Sequence, residues 1–200
     1  MKKLIVFAIA IVLSGCFSTP AREVVDICQL MDEKVSWYQS VKKSEQKYQA
    51  PMHLQLAIIY QESHFASRAQ PARTTYLGFI PGPRPSSAYG YSQAKTKTWE
   101  WYQLKTGNRD ASRSNFSDSV DFVGWYINQS KIRSKISKSD AYNQYLAYHE
   151  GHNGFNNKNF KDKAWLLKVA KHVEKKSSDF KRQLSKCRTH LDSNRVWSFF

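Results

Sequence analysis

The chain has 200 residues, 41% of them hydrophobic, which is enough for one compact domain with a sizeable core. Lys and Arg number 31 against 16 Asp and Glu, a formal charge of +15 that seeks anionic partners such as nucleic acid, lipid headgroups or an acidic cell-wall polymer. The first residues remove nucleic acid from that set, because they read as an export signal. Lys2 and Lys3 precede an apolar stretch from Leu4 to Leu13 and the small-residue ending "LSGC", the order of zones that marks a segment cleaved on export. An apolar stretch of that length falls short of the roughly twenty residues that a hydrocarbon core requires, so it is no membrane span.

The ending "LSGC" resembles a bacterial lipobox, which implies removal of residues 1–15 and lipidation of Cys16 as a membrane anchor. Phe17 follows in place of Asp, and in lipoproteins of this type that implies the periplasmic face of the outer membrane. Residues 16–22 then form a lipidated tether, residues 23–190 a single domain and residues 191–200 a C-terminal tail. Export also sets the redox environment for Cys28 and Cys187, which invites a disulfide. Cys28 lies on the apolar series Val24, Cys28, Met31, Val35, Tyr38, and Cys187 closes Val173, Phe180, Leu184, Cys187, so both point inward from amphipathic helices. Closing so long a loop is worth at most about 5 kcal/mol by chain entropy.

A basic amphipathic helix is expected from Glu23 to Tyr48, giving way before Pro51, which suits the first turn of the next helix. That second helix holds Met52, Leu54, Leu56, Ala57, Ile58, Ile59 and Tyr60, and a helix apolar nearly all round is buried in a domain centre. Residues 71 to 92 carry Pro71, Pro81, Pro83 and Pro85 with Gly78, Gly82 and Gly90, which exclude a helix and mark a long loop of the kind used as a lid or binding surface. Helical periodicity resumes over Ala94–Leu104, Ser117–Ile136, Ser139–Glu150 and Lys161–Cys187, with Gly151 and Gly154 ending the third of these. No internal repeat and no strand is expected. The fold class is all-α.

One acidic residue stands out. Glu62 follows Ile58 and Ile59 at helical spacing, so its carboxyl shares a face with both. An apolar surface disfavours the charged form and raises the pKa, which suits a general acid near neutrality; a helix end on a solvated edge is the plainer alternative.

Three stretches then occur in a telling order: "QESHF" at 61–65, "AYGYSQ" at 88–93 and "YLAYHEGHNGF" at 145–155. Together they resemble the SLT family of lytic transglycosylases, over roughly residues 50 to 155. The resemblance implies a lysozyme-like helical fold with the Pro/Gly-rich loop at the cleft, Glu62 as the single catalytic acid/base, and Ser63, Gln93 and Tyr148 as substrate-binding positions. Tyr91 and Ser92 replace the usual Leu-Met pair, which places Ser92 among the candidate sugar contacts, and His149 and Glu150 replace the usual Asn and Ala. Arg84, with Arg68 and Arg73, lies in or beside the loop, where a core does not want it, and is expected to hold acidic peptide stems. His149 and His152 in "HEGHN" have the wrong spacing for a zinc protease, so no metal and no cofactor is expected. Trp99, Trp101, Trp125, Tyr102 and Tyr126 suit a core better than sugar stacking.

The expected function is cleavage of peptidoglycan glycan strands by a monomer held at the membrane through its lipid anchor. The rivals are a non-catalytic envelope lipoprotein that binds cell wall, and a hydrolytic lysozyme. No Asp or Glu occurs from Ser63 through Trp99, so the second carboxylate of a hydrolytic glycosidase finds no place in that segment. Glu100, Asp110, Asp118, Asp121 and Glu150 remain, unplaced by the motifs.

Overall fold

A computed structural model describes residues 26–193. The export signal, Cys16, the tether and the last seven residues lie outside the described residues. Seven helices and one small hairpin follow in the order α1 (Ile27–Glu33), α2 (Val35–Tyr48), α3 (Met52–Ser63), β1 (Thr75–Tyr76), β2 (Ile80–Pro81), α4 (Thr96–Thr106), α5 (Phe116–Ser134), α6 (Ala141–Asn156) and α7 (Ala164–Ser193). The fold is all-α in its core, as expected, with α3 at the centre: every residue from Leu54 to Tyr60 is buried. Helices α2, α5 and α7 pack around it, and α6 lies against α5 and α7.

Four features depart from the sequence reading. The first helix breaks at Lys34, whose φ of −123° and ψ of 66° part α1 from α2; no Gly or Pro marks the point. The loop holds a two-stranded antiparallel hairpin, Thr75 opposite Pro81 and Tyr76 opposite Ile80, too short for any alternation to reveal. Gly151, with φ 73° and ψ 160°, interrupts the helix as expected, but a further helical stretch follows it and carries α6 past Gly154 to Asn156. Finally α7 runs past Cys187 to Ser193: Leu191 is buried, and Asp192 accepts a 2.6 Å hydrogen bond from the Tyr38 hydroxyl. Residues 191–193 are therefore part of the domain.

Cys28 and Cys187 form a disulfide, with their Cα atoms 6.0 Å apart. It ties α1 to α7, which also pack together, and so fastens the start of the described chain to its last helix. A second set of ties is polar. Asp121 on α5 accepts from the hydroxyls of Tyr48 at 2.9 Å and Tyr102 at 2.7 Å, and from Lys47 at 2.9 Å, joining α2, α4 and α5 at one carboxylate.

Where α2 crosses α5 the backbones come close. Ser44 Oγ lies 2.8 Å from Gln55 Oε1 and 3.1 Å from the Val120 carbonyl, and a Cβ on Gly124 would meet that hydroxyl at 2.2 Å and the Tyr48 ring at 2.9 Å. Helix propensity alone favours Ala over Gly by about 1 kcal/mol. Overpacking works the other way, at about 1–3 kcal/mol, and here both neighbours are themselves buried. Gly124→Ala is therefore expected to lower the unfolding free energy, read by denaturant or thermal unfolding; a variant as stable as the parent would disprove this crossing.

Candidate active site

Helix α3 ends in the left-handed region at His64 (φ 49°), whose N–H donates to the Tyr60 carbonyl at 2.8 Å. Glu62 thus occupies the last turn of a buried helix, half-buried at a cavity of about 500 Å³. That cavity is also lined by Gln93, Tyr126, Tyr148, His149 and Glu150, with Ser86 and Ala88 from the end of the long loop. Burial pushes the Glu62 carboxyl up from its ordinary 4.5 to about 7, against the opposing pull of a hydrogen bond from the Tyr145 hydroxyl. The carbonyl end of the α3 dipole disfavours a carboxylate in the same direction as burial. Near neutrality Glu62 is thus poised between holding and releasing a proton, as a general acid that must later act as base requires.

Two tyrosines of α6 close over this carboxyl. Tyr145, the first residue of the third motif stretch and given no role by the resemblance, is the residue that bonds Glu62. Tyr148, the motif tyrosine, gives its hydroxyl proton to the Ser92 carbonyl at 2.6 Å. Burial and the nearby Glu62 charge hold both phenols above their ordinary range, so both stay neutral donors. The periodicity that signals Tyr145 is its i−3 relation to Tyr148, which puts the two on one face.

Gln93 lines the cavity in a left-handed conformation (φ 47°), with its amide N–H groups donating to the carbonyls of Ala69 and Gly90, each at 2.8 Å. The amide oxygen is what it has to offer a sugar hydroxyl. Gly90 fixes this turn: its φ is 73°, and a Cβ there would lie 2.0 Å from the Arg113 carbonyl oxygen.

Most other sequence candidates do not line the cavity. Ser63 is buried and its hydroxyl donates to the Ile59 carbonyl at 3.1 Å. Ser92 is wholly buried, with its Oγ unpartnered, and enters the site through its carbonyl. Neither side chain lines the cavity, and nor does Arg84, which is exposed and donates to the Pro71 carbonyl. Trp99, Tyr102, Trp125 and Tyr126 are buried, packed edge to face or tilted on one another and on Phe122. His152 stacks on Tyr126 at 4.6 Å, bonds Ser130 at 3.1 Å, and is pushed by burial down to about 4; it is a neutral core imidazole.

Glu150, which no motif placed, lines the same cavity as Glu62. Its two oxygens each accept from Lys163 Nζ at 2.8 Å, and His149 Nδ1 lies 3.1 Å from one of them. Burial works to raise this carboxyl, but the bonds and charges of Lys163 and His149 outweigh it and hold the group below its ordinary value. The cavity therefore holds one carboxyl raised to about 7 and one held below its ordinary value.

The Glu62 shift has a consequence for stability. The folded chain holds this proton more firmly than the unfolded chain does, so the stabilisation is full below 4.5 and is lost as pH rises through about 7. At about 1.4 kcal/mol per pKa unit the loss is at most roughly 3 to 4 kcal/mol. Glu62→Gln keeps the shape without the titration, so it should be more stable than the parent at about pH 8 and show a flatter profile between about pH 5 and 8. Parallel stability profiles for the two proteins would show that Glu62 is not desolvated.

No curated protein and no solved structure matches the chain. A family model described as a transglycosylase SLT domain does match, over residues 4–187. The buried helix that ends in a protonated carboxyl, the Gly-Gln turn and the tyrosine-bearing helix over them thus stand in a chain that belongs to the transglycosylase SLT domain family, the lytic transglycosylases of peptidoglycan.

Proposed function

We propose that this protein cleaves the β-1,4 bond between N-acetylmuramic acid and N-acetylglucosamine of peptidoglycan without water as the attacking group. The observation that carries the reading is the desolvated Glu62 at the cavity, protonated up to about pH 7. Glu62 gives its proton to the glycosidic oxygen as the bond to the muramic C1 breaks. Its carboxylate then takes the proton of the same sugar's 6-hydroxyl, whose oxygen closes on C1 to leave a 1,6-anhydro end. Atoms balance with no water consumed, and Glu62 ends protonated as it began. Tyr145 donates to the carboxylate in the intervening state, when it most needs a partner.

A hydrolytic reading has one observation in its favour, namely Glu150 in the same cavity. Hydrolysis needs a second carboxylate free to attack or to activate water. Both Glu150 oxygens are engaged by Lys163, and a carboxylate so neutralised is a poor base. We therefore assign Glu150 a supporting role, holding Lys163 and His149 at the cleft wall. Gln93 and Tyr148 are proposed as substrate-binding positions.

Digestion of purified peptidoglycan separates these readings. Muropeptides lighter by one water than hydrolytic products, and resistant to borohydride at muramic acid, are expected. Borohydride-reducible muramic ends would overturn the non-hydrolytic route and make Glu150 the second acid. Glu62→Gln should lower turnover by about 10²-fold or more, as for loss of a general acid; a variant that still clears peptidoglycan at a comparable rate removes Glu62 from the mechanism.

Residues 1–15 are proposed as a cleaved signal, with Cys16 acylated at the periplasmic face of the outer membrane. Cys16→Ser should block processing or release the protein from the membrane fraction. Unchanged processing and partition would refute the anchor.

A further inference from the structure

The long loop outside the cavity displays an apolar tip. Tyr76, Leu77, Phe79 and Ile80 are 58%, 83%, 74% and 43% exposed, four large hydrophobic groups within five residues. None of them lines the cavity that holds Glu62. Among the described residues the other exposed large hydrophobics, Val35, Leu104, Ile132 and Trp165, are scattered singly along the sequence, which is ordinary for a surface.

This tip is built, not frayed. The Thr74 N–H and hydroxyl both donate to the Pro83 carbonyl, at 3.1 and 2.9 Å, and the Gly82 N–H donates to the Thr74 carbonyl at 2.6 Å. Gly82 has no room for a Cβ, which would meet Thr74 Oγ1 at 2.4 Å. Arg73 donates to the Gly82 carbonyl and Arg84 to the Pro71 carbonyl, so two exposed guanidinium groups brace the base of the hairpin. At the turn Phe79 N–H donates to the Tyr76 carbonyl at 3.2 Å, across Leu77 and Gly78 at φ 52° and 79°. Positive φ at both central positions fits a tight hairpin, but a leucine there is unusual, and its side chain is the most exposed of the set.

The charge along the segment that carries the tip has one sign. From Ser63 through Trp99 the chain carries Arg68, Arg73, Arg84, Lys95 and Lys97 and no acidic residue. A convex apolar knob with cations at its base suits a surface that is apolar beneath and anionic on top. We infer that this hairpin docks the domain onto an anionic phospholipid surface, with Tyr76, Leu77, Phe79 and Ile80 entering the headgroup boundary and Arg73 and Arg84 meeting lipid phosphates. Docking is independent of the cleavage chemistry at Glu62 and of acylation at Cys16.

The test uses a chain that begins at residue 17 and so carries no acyl group; it keeps every described contact, including the disulfide that closes α1 onto α7. Its partition onto vesicles of phosphatidylglycerol and phosphatidylethanolamine is measured by co-sedimentation, beside vesicles of phosphatidylcholine alone. Binding to the anionic vesicles should be at least about tenfold tighter and should weaken as salt is raised, since exposed charge contacts are screened. Leu77→Asn with Phe79→Ser should reduce it at least about tenfold, with thermal unfolding and peptidoglycan cleavage unchanged; Asn tolerates the left-handed conformation, so the turn is retained. Leu104→Ser, at a lone exposed leucine on α4, is the matched control and should bind as the parent does. Equal binding to both vesicle types, or equal binding by the hairpin double variant and the parent, would overturn the inference. So would hairpin-dependent self-association in vesicle-free solution, which would assign the tip to a second copy of the chain.

Discussion

The site depends on one act of desolvation. Helix α3 is apolar on nearly every side from Leu54 to Tyr60, so it folds only as the centre of the domain, with α2, α5 and α7 closed around it. Glu62 is carried into that interior because it is two residues past the last buried position of that run and one turn from Ile58. A carboxyl there loses water it would otherwise have, and the cost falls on the charged form alone. The packing of the core and the acidity of the catalytic candidate are therefore the same quantity seen twice.

Two carboxyls in one cavity, pushed in opposite directions, give a division of labour. Around Glu62 stand Tyr145 and Tyr148, neutral donors that offer it no positive charge. Around Glu150 stand Lys163 and His149. Gly151 makes this arrangement possible. Its bend in α6 turns the chain immediately after the cavity-lining stretch of Tyr148, His149 and Glu150, so that His152, one residue further, enters the core against Tyr126. In an unbroken helix, residues three apart share a face, and His152 would follow His149 to the cavity wall.

Much of this was legible in the sequence, and for identifiable reasons. Continuous apolar composition marks α3 as central, and the inward faces of the terminal helices bring Cys28 to Cys187. Glu62 follows from its two isoleucine neighbours. The missed features are those that local periodicity does not encode. The break at Lys34 carries no helix breaker, and it arises where α1 turns to pack on α7. The hairpin has two residues per strand, below the length at which alternation means anything. The extra turn of α7 is held by Asp192 to Tyr38, a contact 154 residues away in sequence. Glu150 was unreadable as a cavity residue because its place depends on Lys163, which belongs to the approach to another helix.

The departures from the family pattern sort by which way they face. In the second motif Tyr91 and Ser92 stand where Leu and Met are usual, and both turn inward: Tyr91 packs edge-on against Trp37 at 5.5 Å and Phe116 at 5.4 Å, and Ser92 is sealed with its hydroxyl unpartnered. A buried hydroxyl left without a partner costs stability, while the Ser92 carbonyl receives the Tyr148 hydroxyl and so joins the second motif to the third. The third motif departs in the opposite sense. His149 and Glu150 face the cavity and bring with them Lys163, and through His149 the exposed indole of Trp165, whose ring centre lies 5.1 Å from the imidazole. The inward changes lie in the core beneath the turn. The outward ones place charge and an aromatic face where the usual Asn and Ala would present neither, so differences in how this chain meets its glycan belong to the α6 side of the cleft.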